Sequence, residues 1–382
     1  MELSRKIDSI EISGIRKFYN KVIKVENSIS LTLGEPDFKI PKEIKEAMKK
    51  AIDENKTTYT SNEGIVEVRK EISNYLESMN IKFSFEEICL TVGGSEGLLD
   101  TFTAILNEGD KVLIPSIAYP AYESCVKIVG GEIINYPLMD DLSIDIAEFK
   151  KIIKNEKPKV VVFSYPSNPT GRVMTKEECE AIHDILIDED VLIVSDEMYC
   201  SIAFDEYHTI SEYEDLKSKL ILIGGFSKMF SMTGIRVGYV CAQKYLLDNI
   251  VKVHQYNVSC APSIGQYGAL EGLRNAMYHV EKIKKELQSR RDYVYDRLRS
   301  MGLETIKPEG AFYIFPSIKK LNMTSEEFCD KLLMETKVAV VPGTAFGVGG
   351  EGYVRISYCY SKEELEKAFD LIESFVMKYI KE

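Results

Sequence analysis

The chain has 382 residues, 45% of them hydrophobic and 28% charged, enough to bury a large core and to form more than one domain. A formal net charge of -12 argues against nucleic acid or an anionic membrane surface as partner. No apolar run approaches the length needed to span a bilayer, and Met1-Glu2-Leu3-Ser4-Arg5-Lys6 lacks the apolar core of a signal peptide, so a cytoplasmic location is expected.

Cys89, Cys125, Cys179, Cys200, Cys241, Cys260, Cys329 and Cys359 are scattered, with no C-x-x-C pair, and read as small core residues in a reducing compartment. His183, His208, His254 and His279 form no metal-ligand spacing, so neither a metal site nor a Ser-His-Asp triad is supported.

In chain order, residues 1–30 are mixed and polar, with Ser13-Gly14-Ile15 as a break, and look like an arm that packs on something else. Leu31-Thr32-Leu33-Gly34-Glu35-Pro36-Asp37-Phe38 is extended and ends in turn chemistry. Pro41 opens a helix through Ala51, with the proline in its first turn, and a second helix covers Val66 to Met79 after the polar loop Tyr59-Thr60-Ser61-Asn62-Glu63-Gly64. Strands then alternate with helices. Strands are predicted at Ile88–Val92, Lys111–Ile114, Glu132–Tyr136, Lys159–Ser164, Val191–Ser195, Leu220–Gly224 and Val237–Ala242. Helices are predicted at Ser95–Leu106, Tyr119–Val129, Ile144–Ile153 and Thr175–Ile187.

Runs such as Val160-Val161-Val162-Phe163 are apolar throughout, as in a sheet covered on both faces, and repeated βα units imply a mainly parallel sheet. After Tyr245 the composition turns helical, with a long charged helix from Met277 to Met301. Strands near Phe312–Phe315, Val338–Val341 and Tyr353–Ser357 follow, with helices at Ser325–Glu335 and Lys362–Tyr379. The expected fold is α/β: a three-layer domain on a seven-stranded, mainly parallel sheet (residues 41–279), and a smaller α+β domain (280–382) to which residues 1–40 contribute.

Ligands of such sheets lie beyond the carboxyl ends of the strands, and polar clusters stand there. Gly93-Gly94-Ser95 passes from strand into helix; such turns can hold phosphate, and they are also ordinary turns. Asn168 is bracketed by Pro166 and Pro169 after the Val160 strand. Asp196 leaves an apolar strand, where a carboxylate needs a cation or serves as a helix N-cap, whereas Glu197 reads as structural. Tyr119 could stack on a flat ligand or fill the core. Lys228, in Gly224-Gly225-Phe226-Ser227-Lys228, is framed by apolar and small residues. It is either a desolvated, nucleophilic amine or a loop lysine with its head in water. Together, a phosphate cradle, a stacking ring, a carboxylate, an amide and such a lysine suit pyridoxal phosphate.

Asn168-Pro169-Thr170-Gly171, Ser195-Asp196-Glu197-Met198-Tyr199, and Ser227-Lys228 followed by Met232-Thr233-Gly234-Ile235-Arg236 resemble, in order and spacing, the fold-type I aminotransferases of class I/II. The resemblance runs from Leu31 to Ser357. It implies transamination between an L-amino acid and a 2-oxo acid, with Lys228 carrying the cofactor as a Schiff base and moving the substrate's Cα proton. Asp196 is implied at the ring nitrogen, Asn168 and Tyr199 at the phenolic oxygen, and Tyr119 against the ring. Gly94, Ser95, Ser227 and Arg236 are implied at the phosphate, and Tyr59 at the phosphate of a neighbouring subunit, hence a homodimer. Arg355, in Tyr353-Val354-Arg355-Ile356-Ser357, is implied to bind the substrate α-carboxylate, with Gly34 and Asn168 beside it; alone it could equally be a surface strand residue.

Gly225 stands where the family commonly has serine, Ile235 where an aromatic residue is frequent, and Ser95 where some aspartate-specific members carry lysine, which weakens a preference for dicarboxylic substrates. A carbon–sulfur β-lyase on the same scaffold uses the same lysine and aspartate, and a non-catalytic effector-binding module is a third reading.

Overall fold

In the computed structural model, which describes residues 5–8 and 10–380, the chain opens with α1 (Arg5–Asp8), α2 (Gly14–Val22) and β1 (Ile29–Ser30). Residues 1–4, read above against a signal peptide, lie outside the described residues. The break expected at Ser13-Gly14-Ile15 is instead a helix start. Ser13 is the N-cap of α2, and the i,i+4 pair Phe18 and Val22 is buried on one face, so helical periodicity prevails over the local turn signal.

Two helices, α3 (Lys42–Asp53) and α4 (Val66–Glu77), precede the alternating region; Pro41 is the N-cap of α3 and not part of its first turn. Then come β2 (Ile88–Thr91), α5 (Gly93–Ile105), β3 (Lys111–Pro115), α6 (Ala121–Val129), β4 (Glu132–Tyr136) and α7 (Ile146–Glu156). They are followed by β5 (Val160–Ser164), α8 (Lys176–Leu186), β6 (Leu192–Asp196), β7 (Leu220–Gly225), α9 (Phe226–Met229) and β8 (Gly238–Ala242). Two boundaries differ from expectation with clear causes. Helix α6 starts at Ala121 and not Tyr119, because a residue before proline disfavours helical geometry. Helix α5 starts at Gly93 and not Ser95, since Gly93 has φ +75° and turns the chain out of β2 at once.

The strands form one seven-stranded sheet in the order β2-β8-β7-β6-β5-β3-β4. β8 alone runs opposite to the other six strands, so its first residues, after Arg236, lie at the edge where the other strands end. Along β5, Val161 and Phe163 face one core while Val160 and Val162 face the other; along β7, Leu220 and Leu222 alternate likewise with Ile221 and Ile223. Period-2 alternation of buried apolar side chains into two cores is what a sheet covered on both faces requires.

The rest comprises α10 (Lys244–Asn257), α11 (Ser263–Asn275), α12 (Met277–Ser300), β9 (Tyr313–Ile314), α13 (Ser325–Thr336), β10 (Val338–Ala339), β11 (Val341–Pro342), β12 (Val354–Ser357) and α14 (Lys362–Tyr379). Helix α14 begins in a capping box, Ser361 with Glu364. The single strand expected at Val338–Val341 is two: β10 pairs parallel with β1, and β11 pairs with β12 at a sheet edge, where Pro342 has no ladder bond to donate. Phe18, Val22 and Leu31 join the same apolar cluster as α13 and α14. Helix α12 starts against the large core at Met277 and Val280 and continues into that second cluster from Ile283.

Candidate active site

Lys228 follows β7, one residue after buried Ser227. Its Nζ donates to the carbonyl of Gly34 at 2.5 Å and lies 6.0 Å from the Tyr199 ring and 5.9 Å from the Phe312 ring. Burial pushes the ammonium down to about 8, aided by Arg355 and Arg236 and opposed by Cys359 and Glu35. The side chain is partly buried and its amine is bonded to a backbone carbonyl, which favours the desolvated reading over a loop lysine with its head in water. Gly34 is required by contact: a Cβ there would lie 2.0 Å from the Tyr313 hydroxyl.

Asp196 is the last residue of β6 and is in strand, not a helix N-cap. Its Oδ2 accepts from the Tyr122 hydroxyl at 2.7 Å, and its Oδ1 accepts from the Met198 N–H at 3.1 Å. Burial raises its carboxyl while those two donors lower it. Among the described residues no cation pairs with it. Glu197, beside it, points elsewhere: Ser195 (3.1 Å), Thr209 (2.7 Å), Tyr207 (3.1 Å) and Ser211 all donate to its buried carboxylate, which pins the 207–211 segment. Its structural reading stands.

Arg355, in β12, is 1% exposed, which excludes a surface residue. Its guanidinium sits between the rings of Tyr313 (4.5 Å) and Phe346 (4.8 Å). It donates to Asn168 Oδ1 at 2.9 Å and to the Thr32 carbonyl at 2.5 Å, and its Nε has no partner. No carboxylate offsets this buried charge among the described residues. A rigid fork that is desolvated, stacked and only partly satisfied has the chemistry to accept an anionic ligand.

The cradle lies at the start of α5. Arg236, with φ +61°, donates to the carbonyls of Thr233 (2.9 Å) and Val92 (3.3 Å). A Cβ on Gly93 would come within 2.6 Å of Arg236 Nη2, and one on Gly238 within 2.7 Å of the Gly93 carbonyl carbon, so glycine at both positions lets strand, turn and guanidinium converge. Gly94 abuts Met198, which links the cradle to Asp196. The first-turn N–H groups of a helix lack intrahelical acceptors and favour an anion.

Contacts thus join Gly34, Asn168, Tyr199, Lys228 and Arg355 into one group and Gly94, Asp196 and Arg236 into a second, and the adjacent residues Met198 and Tyr199 connect the two along the chain. Tyr119 is half-buried and meets the Tyr122 ring edge-on at 5.8 Å, one ring removed from Asp196. The Tyr199 hydroxyl is 2.8 Å from that of Tyr313 and has no hydrogen bond to Asn168, whose amide oxygen accepts from Arg355. Ser95 is exposed on the first turn of α5. Tyr59 stands apart, 85% exposed, in a loop tied down by Asn62, which donates to the Ser259 carbonyl, and by Gln266, which donates to the Thr60 hydroxyl. Tyr122, Tyr313 and Thr32 were not anticipated from sequence. Tyr122 lies in a helix and Tyr313 in the apolar run Ala311-Phe312-Tyr313-Ile314-Phe315, with no local mark of a site, and Thr32 contributes only its backbone.

These residues fit pyridoxal phosphate: a buried carboxylate without a cation for a protonated ring nitrogen, a desolvated amine for its aldehyde, and an arginine with helix N–H groups for its phosphate. A serine at position 225, as the family commonly has, would crowd its neighbours. A Cβ on Gly225 would stand 3.0 Å from Met198 Cε and 3.1 Å from Gly238 Cα, across from its register partner Gly238.

The sequence model of the family described as aminotransferase class I and II matches residues 26–372. A probable N-acetyl-LL-diaminopimelate aminotransferase of Bacillus subtilis is 43% identical, over 98% of this chain and 96% of its own. An aspartate aminotransferase of Pyrococcus abyssi is 40% identical over 98% of each. The solved structure of the Thermus thermophilus aspartate aminotransferase with maleate superposes with a TM-score of 0.93 at 30% identity, over 98% of this chain and 99% of that one.

Proposed function

We propose a division of labour for the site on the premise that the chain belongs to the class I and II aminotransferases and is a pyridoxal-phosphate-dependent transferase of amino groups. The relatives support transamination over the carbon–sulfur lyase alternative. When bound, the cofactor supplies an electron sink for the pair released when the substrate's Cα proton leaves. Lys228 would hold it covalently and, as a neutral amine, would take and return that proton. Asp196, held by Tyr122 and Met198, keeps the ring nitrogen protonated. Asn168 and Tyr199 donate toward the phenolic oxygen, Tyr119 covers the ring, and Gly94, Ser95, Ser227 and Arg236 hold the phosphate.

Arg355, with Asn168 and Gly34, binds the substrate α-carboxylate. The observation that carries this reading is the buried, uncompensated Arg355 guanidinium, which stacks on Tyr313, whose hydroxyl meets that of Tyr199, the ring beside the Lys228 amine. The substrates are an L-amino acid and a 2-oxo acid. The enzyme acts as a cytoplasmic homodimer, divided into residues 41–279 and a smaller domain of 280–382 with the 1–40 arm. The exposure of Tyr59 supports its reaching the partner's phosphate.

A half-reaction screen tests the reading. Holoenzyme mixed with single L-amino acids is expected to lose its visible cofactor absorbance and to release the matching 2-oxo acid. α-Decarboxylated analogues, lacking the group that Arg355 binds, are expected to react at least 100-fold more slowly, since a charge-assisted bidentate contact contributes about 3 kcal/mol. Equal rates for acid and decarboxylated analogue would contradict it.

A further inference from the structure

One buried cluster is not used by this chemistry: Glu96 and Asp100 on α5, with His254 on α10. The side chains of His254 and Asp100 have no exposure and that of Glu96 has 8%. His254 Nδ1 donates to Glu96 Oε1 at 2.8 Å and lies 3.7 Å from Asp100 Oδ2, while Asn257 donates to Asp100 Oδ1 at 3.1 Å. Burial would lower the imidazolium, but the two carboxylates outweigh it and hold His254 above its ordinary value.

Glu96 does not end at this pair. Its other oxygen, Oε2, accepts the backbone N–H of Val92 at 2.7 Å, and the Val92 carbonyl receives Arg236 Nη2 at 3.3 Å. Val92 is thus pinned at its N–H by Glu96 and at its C=O by the phosphate arginine. Next to it stand Gly93, at φ +75°, and Gly94, the most freely rotating residue type at the point where rigidity matters. The Thr91 hydroxyl closes the turn by donating to the Gly93 carbonyl at 3.1 Å.

We propose that Glu96 and His254 are positioning residues for the cofactor phosphate. Anchored by His254 on α10, Glu96 fixes the Val92–Gly93 turn so that the α5 N–H groups and Arg236 converge on one anion. Neither residue touches the phosphate. The effect is preorganisation: a di-glycine turn left free would lose its conformational freedom only on binding, and affinity would fall accordingly. The inference rests on the reading that the phosphate sits at this turn beside Arg236.

The test measures the dissociation constant of pyridoxal phosphate from the apoenzyme and the melting temperatures of apo and holo forms. Glu96→Ala and His254→Gln are expected to weaken binding about tenfold, the scale of one lost buried hydrogen bond, and to lower the holo melting temperature more than the apo. Glu96→Gln, which keeps an acceptor for Val92, is expected to stay within about threefold of wild type. Should Glu96→Ala fail to fold, His254→Gln with Glu96→Gln as its companion carries the comparison. Unchanged affinity in the destabilised variants, or apo and holo temperatures falling equally, would overturn the proposal. Arg236→Ala, run in parallel, separates the two claims. If it too leaves affinity unchanged, the phosphate reading fails. If it weakens binding while Glu96→Ala and His254→Gln do not, only the positioning role fails.

Discussion

Lys228→Ala is expected to abolish covalent attachment of pyridoxal phosphate and to lower transamination by on the order of 10⁵-fold, as loss of a covalent nucleophile does in other enzymes. Borohydride reduction followed by mass spectrometry reads the first effect: wild type retains the cofactor's mass on the peptide containing Lys228, and the variant does not. The environment of this amine adds a pH signature. Burial beneath Tyr199 and Phe312 depresses its pKa to about 8, and only the neutral amine attacks a carbonyl. Cofactor uptake by the apoenzyme should therefore accelerate about tenfold per pH unit below 8 and level off above it. A plateau reached only above pH 10 would mean that the amine is solvated.

Asp196→Asn comes second. The substitution preserves shape and can keep the Tyr122 and Met198 contacts, but removes the charge opposite the ring nitrogen. A fixed, buried charge aimed at developing charge contributes several kcal/mol, so kcat should fall about 10³-fold, with the cofactor still covalently bound. Reconstitution with a cofactor analogue carrying a permanently cationic ring nitrogen is expected to recover activity in Asp196→Asn selectively. Recovery absent there, or a kcat within tenfold of wild type, would remove Asp196 from that role.

Much of this site was legible because parallel-sheet enzymes place polar residues directly after apolar strands. Asp196 ends β6, Lys228 follows β7, and Asn168 follows β5, each marked by the contrast with the apolar run before it. Arg236 was legible only through the spacing that marks the family; its place at the cradle depends on β8 running antiparallel, which pattern alone does not give. What sequence concealed are partners distant along the chain. Tyr122 and Asp196 are 74 residues apart, Tyr199 and Tyr313 are 114 apart, and Glu96 and His254 are 158 apart. Each such residue has an ordinary local role, core aromatic or helix-surface charge, and acquires another only when the fold apposes the elements. His254 is one of four dispersed histidines in the sequence, where spacing carries a signal and burial does not.

The element boundaries show the same division. Helices α12 and α14 were readable almost to the residue, since amphipathic periodicity over several turns is a strong signal. The split of Val338–Val341 between β1 and β12 was not, because a four-residue apolar run says nothing about which strands it meets.

The central claim, amino-group transfer at one lysine-centred site, is tested most directly in a single turnover. Holoenzyme is loaded with an ¹⁵N-labelled amino acid identified in the screen, freed of small molecules, and then given an unlabelled 2-oxo acid. Transamination predicts one labelled amino acid formed per active site, no ammonia, and none of either product with Lys228→Ala. Release of labelled ammonia before the oxo acid is added would contradict it.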